Sequence, residues 1–512
     1  MAEATHDAGQ LGAEAHGLSA AIAYARREPD KVLLAILAAH LVIWTVLPIL
    51  VCGNLQLDLV EDLALGKEWQ LGYWKHPPLP WLLADLAYRV VGRVEVVYLL
   101  GPLSAVVCLY AVWCLARRLT GPIEALIAVV ALEGVHFYQF SVVKFAHDQM
   151  QLPFWALTAL FLYRALTETR ARDWLLSGAM LALCFWSKYA AFSLAASIGL
   201  FLLLDRDARR AWRTPGPWLM ALAFLIVIAP NAWWLVESGF LPFRYVDARA
   251  KVAAHWWQLI VFPLQWIASQ ILFLAPAIGL MALLYLGARR SAPGDDERSA
   301  FARRYVTMLA LGPFAVTTLV ALLLGRLPVA MWGYPLWSFA PLAVVLWLGP
   351  VDARRLRAFA AAFVAVFVAW PVIYAGVELF EPFLRDRPKA TEFPGQTVAD
   401  AVTKVYRDKT GKPLVYVGGD NFIANNVAVY SADRPHVVVN ADPALSPWVD
   451  VADLRRRGGV LVWGEGEAEA LPAQFRAAFP VAEVQPPLRL PRQTRAKVRP
   501  AYVGYAIVPP QP

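Results

Sequence analysis

The chain is 512 residues long, 59% hydrophobic and only 17% charged, with a mean hydropathy of +0.48. A soluble domain rarely exceeds about half apolar, so lipid must be part of this chain's solvent. The formal net charge of +8 does not indicate nucleic acid, because the basic residues form no single face or tail and instead punctuate the apolar runs, as membrane topology requires.

Residues 1–30 are small and polar and read as a cytoplasmic tail. No cleavable signal peptide is evident, since the first apolar run begins near Lys31 and is too long for an h-region. That run, 32–51, is the first candidate span. Further runs follow at 94–116, 122–140, 149–166, 174–186, 190–204, 218–231, 257–286, 305–324, 334–348 and 359–377. With about 20 apolar residues needed per crossing, they give about eleven transmembrane helices. The stretch 174–204 is too long for one helix, and the polar Ser187-Lys188-Tyr189 marks a tight turn inside it. Cys52, Cys108, Cys114 and Cys184 lie in or beside the runs without CxxC spacing, and read as small apolar residues.

Arg117 and Arg118, Arg164 to Arg172, Arg206 to Arg213, Arg289 to Arg304, and Arg354 to Arg357 fall on alternate loops. The positive-inside rule places those loops in the cytoplasm, the N-terminus inside and the C-terminus outside. The expected organisation is a transmembrane part over 31–378 with an outer loop at 52–93, and a small extracytoplasmic α/β domain over 379–512. In that last part, short apolar strands at 414–417, 436–439, 459–463 and 501–505 alternate with helical patterns at 422–430, 451–457 and 467–479. Gly418-Gly419-Asp420-Asn421 follows a strand but lacks both phosphate-loop patterns, so a folded cap is the preferred reading.

The outer loop carries the chemistry. It holds the acids Asp58, Glu61 and Asp62, the pair Lys75-His76, a double proline at Pro77-Pro78, and Trp69, Tyr73, Trp74 and Trp81. Asp58 and Glu61, three apart, share a face if the segment is helical. Ionisable groups at the rim of a membrane bundle are costly and point to a reaction site. The competing reading is an interfacial loop whose acids favour a helix N-terminus and whose rings form an aromatic belt. His147-Asp148 lies on the same side and reads equally as a helix cap or as part of a site. Lys75, Lys144, Lys188, Arg244, Arg249, Lys251 and Arg326 stand outside against the topology rule, which suggests a bound anion, with phosphate the obvious candidate. These parts suit transfer of a sugar from a lipid phosphate. The phosphate leaves without needing a proton, one carboxylate takes the proton of the acceptor hydroxyl, and cations hold the departing phosphate.

The order Asp58, Glu61, then Gly72-Tyr73-Trp74-Lys75-His76-Pro77-Pro78-Leu79 after the first span resembles the signature of the GT-C polyprenyl-phosphate-sugar transferases. These include the protein O-mannosyltransferases, the lipid A aminoarabinose transferases and the lipopolysaccharide galacturonosyltransferases. Phe145-Ala146-His147-Asp148, Trp186-Ser187-Lys188-Tyr189 and Pro230-Asn231 resemble three further elements of that group. The resemblance implies a GT-C-like, multi-span α-helical membrane protein of the cytoplasmic membrane, acting as an inverting glycosyltransferase. It implies a polyprenyl-phosphate-sugar donor, a membrane-lipid setting, and a glycan, lipid or protein acceptor on the outer side. Asp58 then matches the catalytic base and Asp148 the second acid, with Glu61 beside them. Lys75, His76, Lys188 and Arg249 become the candidates for the donor phosphate, and Tyr73, His147 and Asn231 those for substrate contact. The lysine of the KPPL element is His76 here, with Lys75 one step before, so either His76 in its charged form or Lys75 takes that contact. The glutamate beside the family aspartate is Leu59 here. No cofactor and no nucleic-acid partner are implied, and no metal-ligand spacing is visible; a divalent metal stays open. The alternatives are a multi-span transporter, which calls for broken or charged helices at mid-membrane, and a non-catalytic envelope-assembly protein, which would tolerate loss of Asp58.

Overall fold

The computed structural model describes residues 17–249, 251–286, 297–349, 351–385, 387–464 and 470–511, without the side chains of 246–249. Each apolar run is helical over at least part of its length. Among the described residues, six helices are long and apolar enough to cross a bilayer: Pro29–Val51, Val94–Leu119, Gly216–Glu237, Gln258–Tyr285, Glu297–Leu323 and Ala353–Leu384. The other five expected spans are shorter or more polar: Pro122–Val130, His147–Glu168, Ala171–Ser187, Phe192–Leu204 and Ala340–Leu348. The chain is a multi-span helical membrane protein, and among the described residues six of the eleven expected spans meet the length and composition of a crossing unaided.

The run 122–140 shows why. Its helix stops at Val130 and continues as a 3-10 turn, Ala131–Gly134. A Cβ on Gly134 would meet the Ala277 backbone nitrogen at 2.7 Å, so the turn passes hard against the Gln258–Tyr285 helix. The turn also aims Glu133 at His40 of the first span, Oε2 to Nδ1 3.0 Å, both side chains buried. Trp44 Nε1 donates to Gln139 Oε1 beside them at 2.8 Å. Polar groups buried among apolar helices are costly unless they find partners of this kind.

As the sequence leads one to expect, Ala171–Ser187 and Phe192–Leu204 are separate helices, with Lys188 extended between them (φ −162°, ψ 136°). Extended backbone at the junction frees the lysine from the helix surface and lets its side chain turn inward.

After the last long helix, Gly395–Thr410 leads into a five-stranded sheet. Its spatial order is His436–Val439, Tyr416–Gly419, Gly459–Trp463, Ala501–Val508, Glu483–Leu490. The first three strands are parallel, and Ala501–Val508 runs antiparallel to both of its neighbours, Gly459–Trp463 and Glu483–Leu490. Helices Asn421–Tyr430, Val451–Arg457 and Ala473–Ala478 lie between them, and residues 467–469 of the expected third helix lie outside the described residues. Strand Glu483–Leu490 was not legible in the sequence because it contains Pro486 and Pro487. It occupies the sheet edge, where missing amide donors are tolerated, and its register shifts between Gln485 and Leu488.

The loop 52–93 packs on this sheet. Leu59, Val60, Leu63, Tyr73 and Trp81 form one apolar cluster with Val398, Val427, Val460 and Val503. Asn54 Nδ2 donates to Asn426 Oδ1 at 3.0 Å, Lys67 Nζ to the Pro435 carbonyl at 2.6 Å, and His436 Nδ1 meets Glu68 at 2.8 Å.

Candidate active site

Leu57–Gly66 is a helix, so Asp58, Glu61 and Asp62 at i, i+3 and i+4 come to one side of it. Asp58 in its first turn complements the positive helix end. The opposite side carries Leu59, Val60 and Leu63 into the core. A Cβ on Gly66 would meet the Trp81 carbonyl oxygen at 2.1 Å, so only glycine lets this helix end so close to the Leu79–Val91 helix.

The three acids meet different surroundings. Asp58 is half-buried, and its carboxylate makes no hydrogen bond or ion pair among the described residues. Glu61 is buried and paired with Lys75. Asp62 is 1% exposed and its Oδ2 has no hydrogen bond; burial, followed by the charges of Asp58 and Glu61, pushes its pKa well above the usual carboxylate range. Burial would lower the Lys75 pKa, but Glu61 outweighs it and leaves Lys75 above its ordinary value, a charged ammonium. Its Nζ lies 5.9 Å from the rings of both Trp74 and Tyr245.

A second lysine–carboxylate pair comes from elsewhere in the chain. Asp148 lies in the first turn of His147–Glu168, and Lys188 Nζ reaches its Oδ1 at 2.6 Å. Both residues are buried, and the Lys188 ammonium stands 5.8 Å from the Trp332 ring. Asp58 is within electrostatic range of Glu61, Asp62, Lys75 and Asp148 alike. The two acidic stretches picked out in the sequence therefore meet in space, each with a lysine attached.

Tyr73, His147 and Asn231, the residues expected to touch substrate, each make contacts within the protein. Tyr73 is fully buried, edge-on to Trp81 at 4.2 Å, and its hydroxyl donates to the Leu65 carbonyl at 3.0 Å. His147 is buried and donates from Nε2 to the Pro77 carbonyl at 3.2 Å. Its ring lies 4.1 Å from that of His76. Asn231 donates to the Leu71 carbonyl at 2.7 Å and accepts from the Tyr189 hydroxyl at 3.2 Å. These contacts fix the shape of the 67–78 loop, and the backbone amide of Tyr73 closes a turn onto the His76 carbonyl at 3.1 Å. The Arg249 side chain lies outside the described residues.

A cleft of about 1220 Å³ opens at the Glu61–Lys75 pair, with Glu61, Trp74, Lys75 and Tyr245 on one wall. The other wall comes from the loops at 419–422 and 440–443 of the C-terminal sheet. The sequence reading gave those loops no role; its one signal was the Gly-Gly-Asp-Asn run after a strand. Among the described residues, no three His, Cys, Asp or Glu side chains gather as a metal-binding group.

Residues 75–234 match the family model of dolichyl-phosphate-mannose-protein mannosyltransferase. The fold is that of the GT-C glycosyltransferases. It is similar to ArnT from Cupriavidus metallidurans bound to undecaprenyl phosphate, with a TM-score of 0.59 and 14% identity, over 92% of this chain and 97% of that one. The apo form of the same ArnT gives a TM-score of 0.50 at 14% identity, over 93% and 98% of the two chains. The Archaeoglobus fulgidus oligosaccharyltransferase aligns over 84% of this chain and 69% of its own, at 12% identity and a TM-score of 0.42. No curated protein sequence matches.

Proposed function

We propose that this chain is an integral-membrane glycosyltransferase that moves a sugar from a polyprenyl-phosphate donor to a hydroxyl of an envelope acceptor, at the outer face of the cytoplasmic membrane. The observation that carries the reading is the isolation of one carboxylate among several. Glu61 and Asp148 are each held by a lysine, and Asp62 is pushed toward its neutral form, while Asp58 has no partner among the described residues. A general base must have an uncommitted lone pair within reach of the proton that it removes. Asp58 takes the proton of the acceptor hydroxyl as that oxygen bonds to the anomeric carbon. The bond from that carbon to the phosphate oxygen breaks on the opposite face, so the anomeric configuration inverts.

Lys75, His76, Lys188 and Arg249 supply the positive charge that holds the departing phosphate. Similarity to a protein solved with undecaprenyl phosphate supports a lipid-phosphate donor. The alternation of basic loops supports a cytoplasmic N-terminus, a membrane part over 31–378 and a periplasmic region over 379–512. Mass spectrometry of envelope lipids and glycans from cells with and without the chain tests the function. Loss of one sugar from one envelope component is expected, and unchanged profiles would overturn the reading.

A further inference from the structure

The parallel part of the C-terminal sheet reverses direction at its middle strand. From Tyr416–Gly419 the chain passes through helix Asn421–Tyr430 to His436–Val439 on one side, then through Val451–Arg457 to Gly459–Trp463 on the other. Such a reversal leaves a crevice beyond the carboxyl ends of the strands, where open α/β sheets take their ligands. Here the crevice is the far wall of the cleft, formed by Gly419, Asp420, Asn440 and Trp463 at those strand ends.

Two independent features mark it as more than a seam. Asn440 and Ala441 sit in the left-handed region, at φ 52° and 56°. Non-glycine residues hold that conformation at a cost, and such strain clusters at functional sites. Asn425, only 4% exposed, lines the cleft with an Oδ1 that has no hydrogen-bond partner. A buried, unsatisfied amide oxygen is expensive and calls for a donor from a ligand.

The lining also selects a class of ligand. Its strand-end wall carries no cation among the described residues, and Asp420 and Asp442 give it negative charge. A phosphorylated or carboxylated group is therefore disfavoured. Amides from Asn421, Asn425 and Asn440 beside the rings of Trp74 and Phe422 suit hydroxyls and the C–H faces of sugar rings. A peptide would instead pair along a sheet edge, whereas this cleft opens at strand ends.

We infer that the crevice binds an uncharged glycan, which is the acceptor delivered to Asp58; this rests on the transferase reading above. The test uses the full chain in lipid nanodiscs. The probe is the oligosaccharide fraction released by mild acid from the host's envelope glycolipids and treated with phosphatase. Saturation-transfer NMR should show sugar protons in contact with the protein. Asn425→Ala and Asn440→Gly, the second of which relaxes the left-handed backbone, should each weaken binding about five-fold. Both should leave polyprenyl-phosphate binding unchanged and should not lower the melting temperature. No saturation transfer from the unaltered protein to the sugar, or affinity in both variants equal to that of the unaltered protein, would overturn the inference. The polyprenyl-phosphate arm separates the two readings, since its failure counts against the donor assignment while the glycan arm decides this one by itself.

Discussion

Lys188 and Asp148 form a buried ion pair at 2.6 Å, although one sits in the extended break between two helices and the other begins a third. Removing one member of such a pair strands a charge in a poorly solvated place. Lys188→Ala should lower stability by about 3–5 kcal/mol. The double variant Lys188→Met with Asp148→Asn should lose much less than the sum of the single changes. Unfolding in detergent, followed by circular dichroism, gives the coupling; additive losses would show that the pair is not energetically linked.

The donor contacts should show in affinity. Replacing Lys75, His76, Lys188 or Arg249 by Ala removes a charge-assisted contact worth about 1.5–3 kcal/mol. That corresponds to about ten- to a hundred-fold weaker binding of a polyprenyl phosphate in nanodiscs. Lys75 and Lys188 should show the largest losses, and unchanged affinity in all four variants would place the phosphate elsewhere.

Asp62 predicts a pH signature. Its folded pKa is raised, above all by burial, so the native state binds this proton more tightly than the unfolded chain does. Its contribution is complete below the ordinary aspartate pKa and is lost as pH rises toward the folded value. The slope is at most about 1.4 kcal/mol per pH unit. Asp62→Asn keeps the neutral shape and should flatten this part of the stability–pH curve without lowering the melting temperature at neutral pH. A curve identical to that of the unaltered protein would show that Asp62 is not the group responsible.

Parts of this site were legible in the sequence. Spacing of three residues brought Asp58 and Glu61 to one face, and the polar break at Ser187-Lys188-Tyr189 interrupted an apolar run. The pairing of Lys75 with Glu61 was not legible, because it depends on a loop held by His147, Asn231 and buried Tyr73. Their internal contacts were not legible either, since a polar side chain near a site gives no sign in the sequence of which way it points. The second wall of the cleft was invisible because Asn425 and Asn440 meet the site only through sheet topology. The edge strand Glu483–Leu490 was hidden by its two prolines.

Orientation is open to a direct check. A reporter active only in the periplasm, fused after Pro512, should be active, and a reporter active only in the cytoplasm should be silent there. The opposite pattern would invert the topology and move the site to the cytoplasmic face.

The central claim is that Asp58 removes the acceptor proton. Asp58→Asn keeps the shape of the side chain and removes its basic oxygen. Transfer from a polyprenyl-phosphate-sugar donor to acceptor in isolated host envelope should fall by about 10²–10⁴-fold, with membrane level and melting temperature retained. Glu61→Gln and Asp62→Asn should fall much less, and the product anomer should be inverted relative to the donor. An Asp58→Asn protein that keeps near-normal turnover would contradict the account, and the base would then be sought at Asp148 or Glu61.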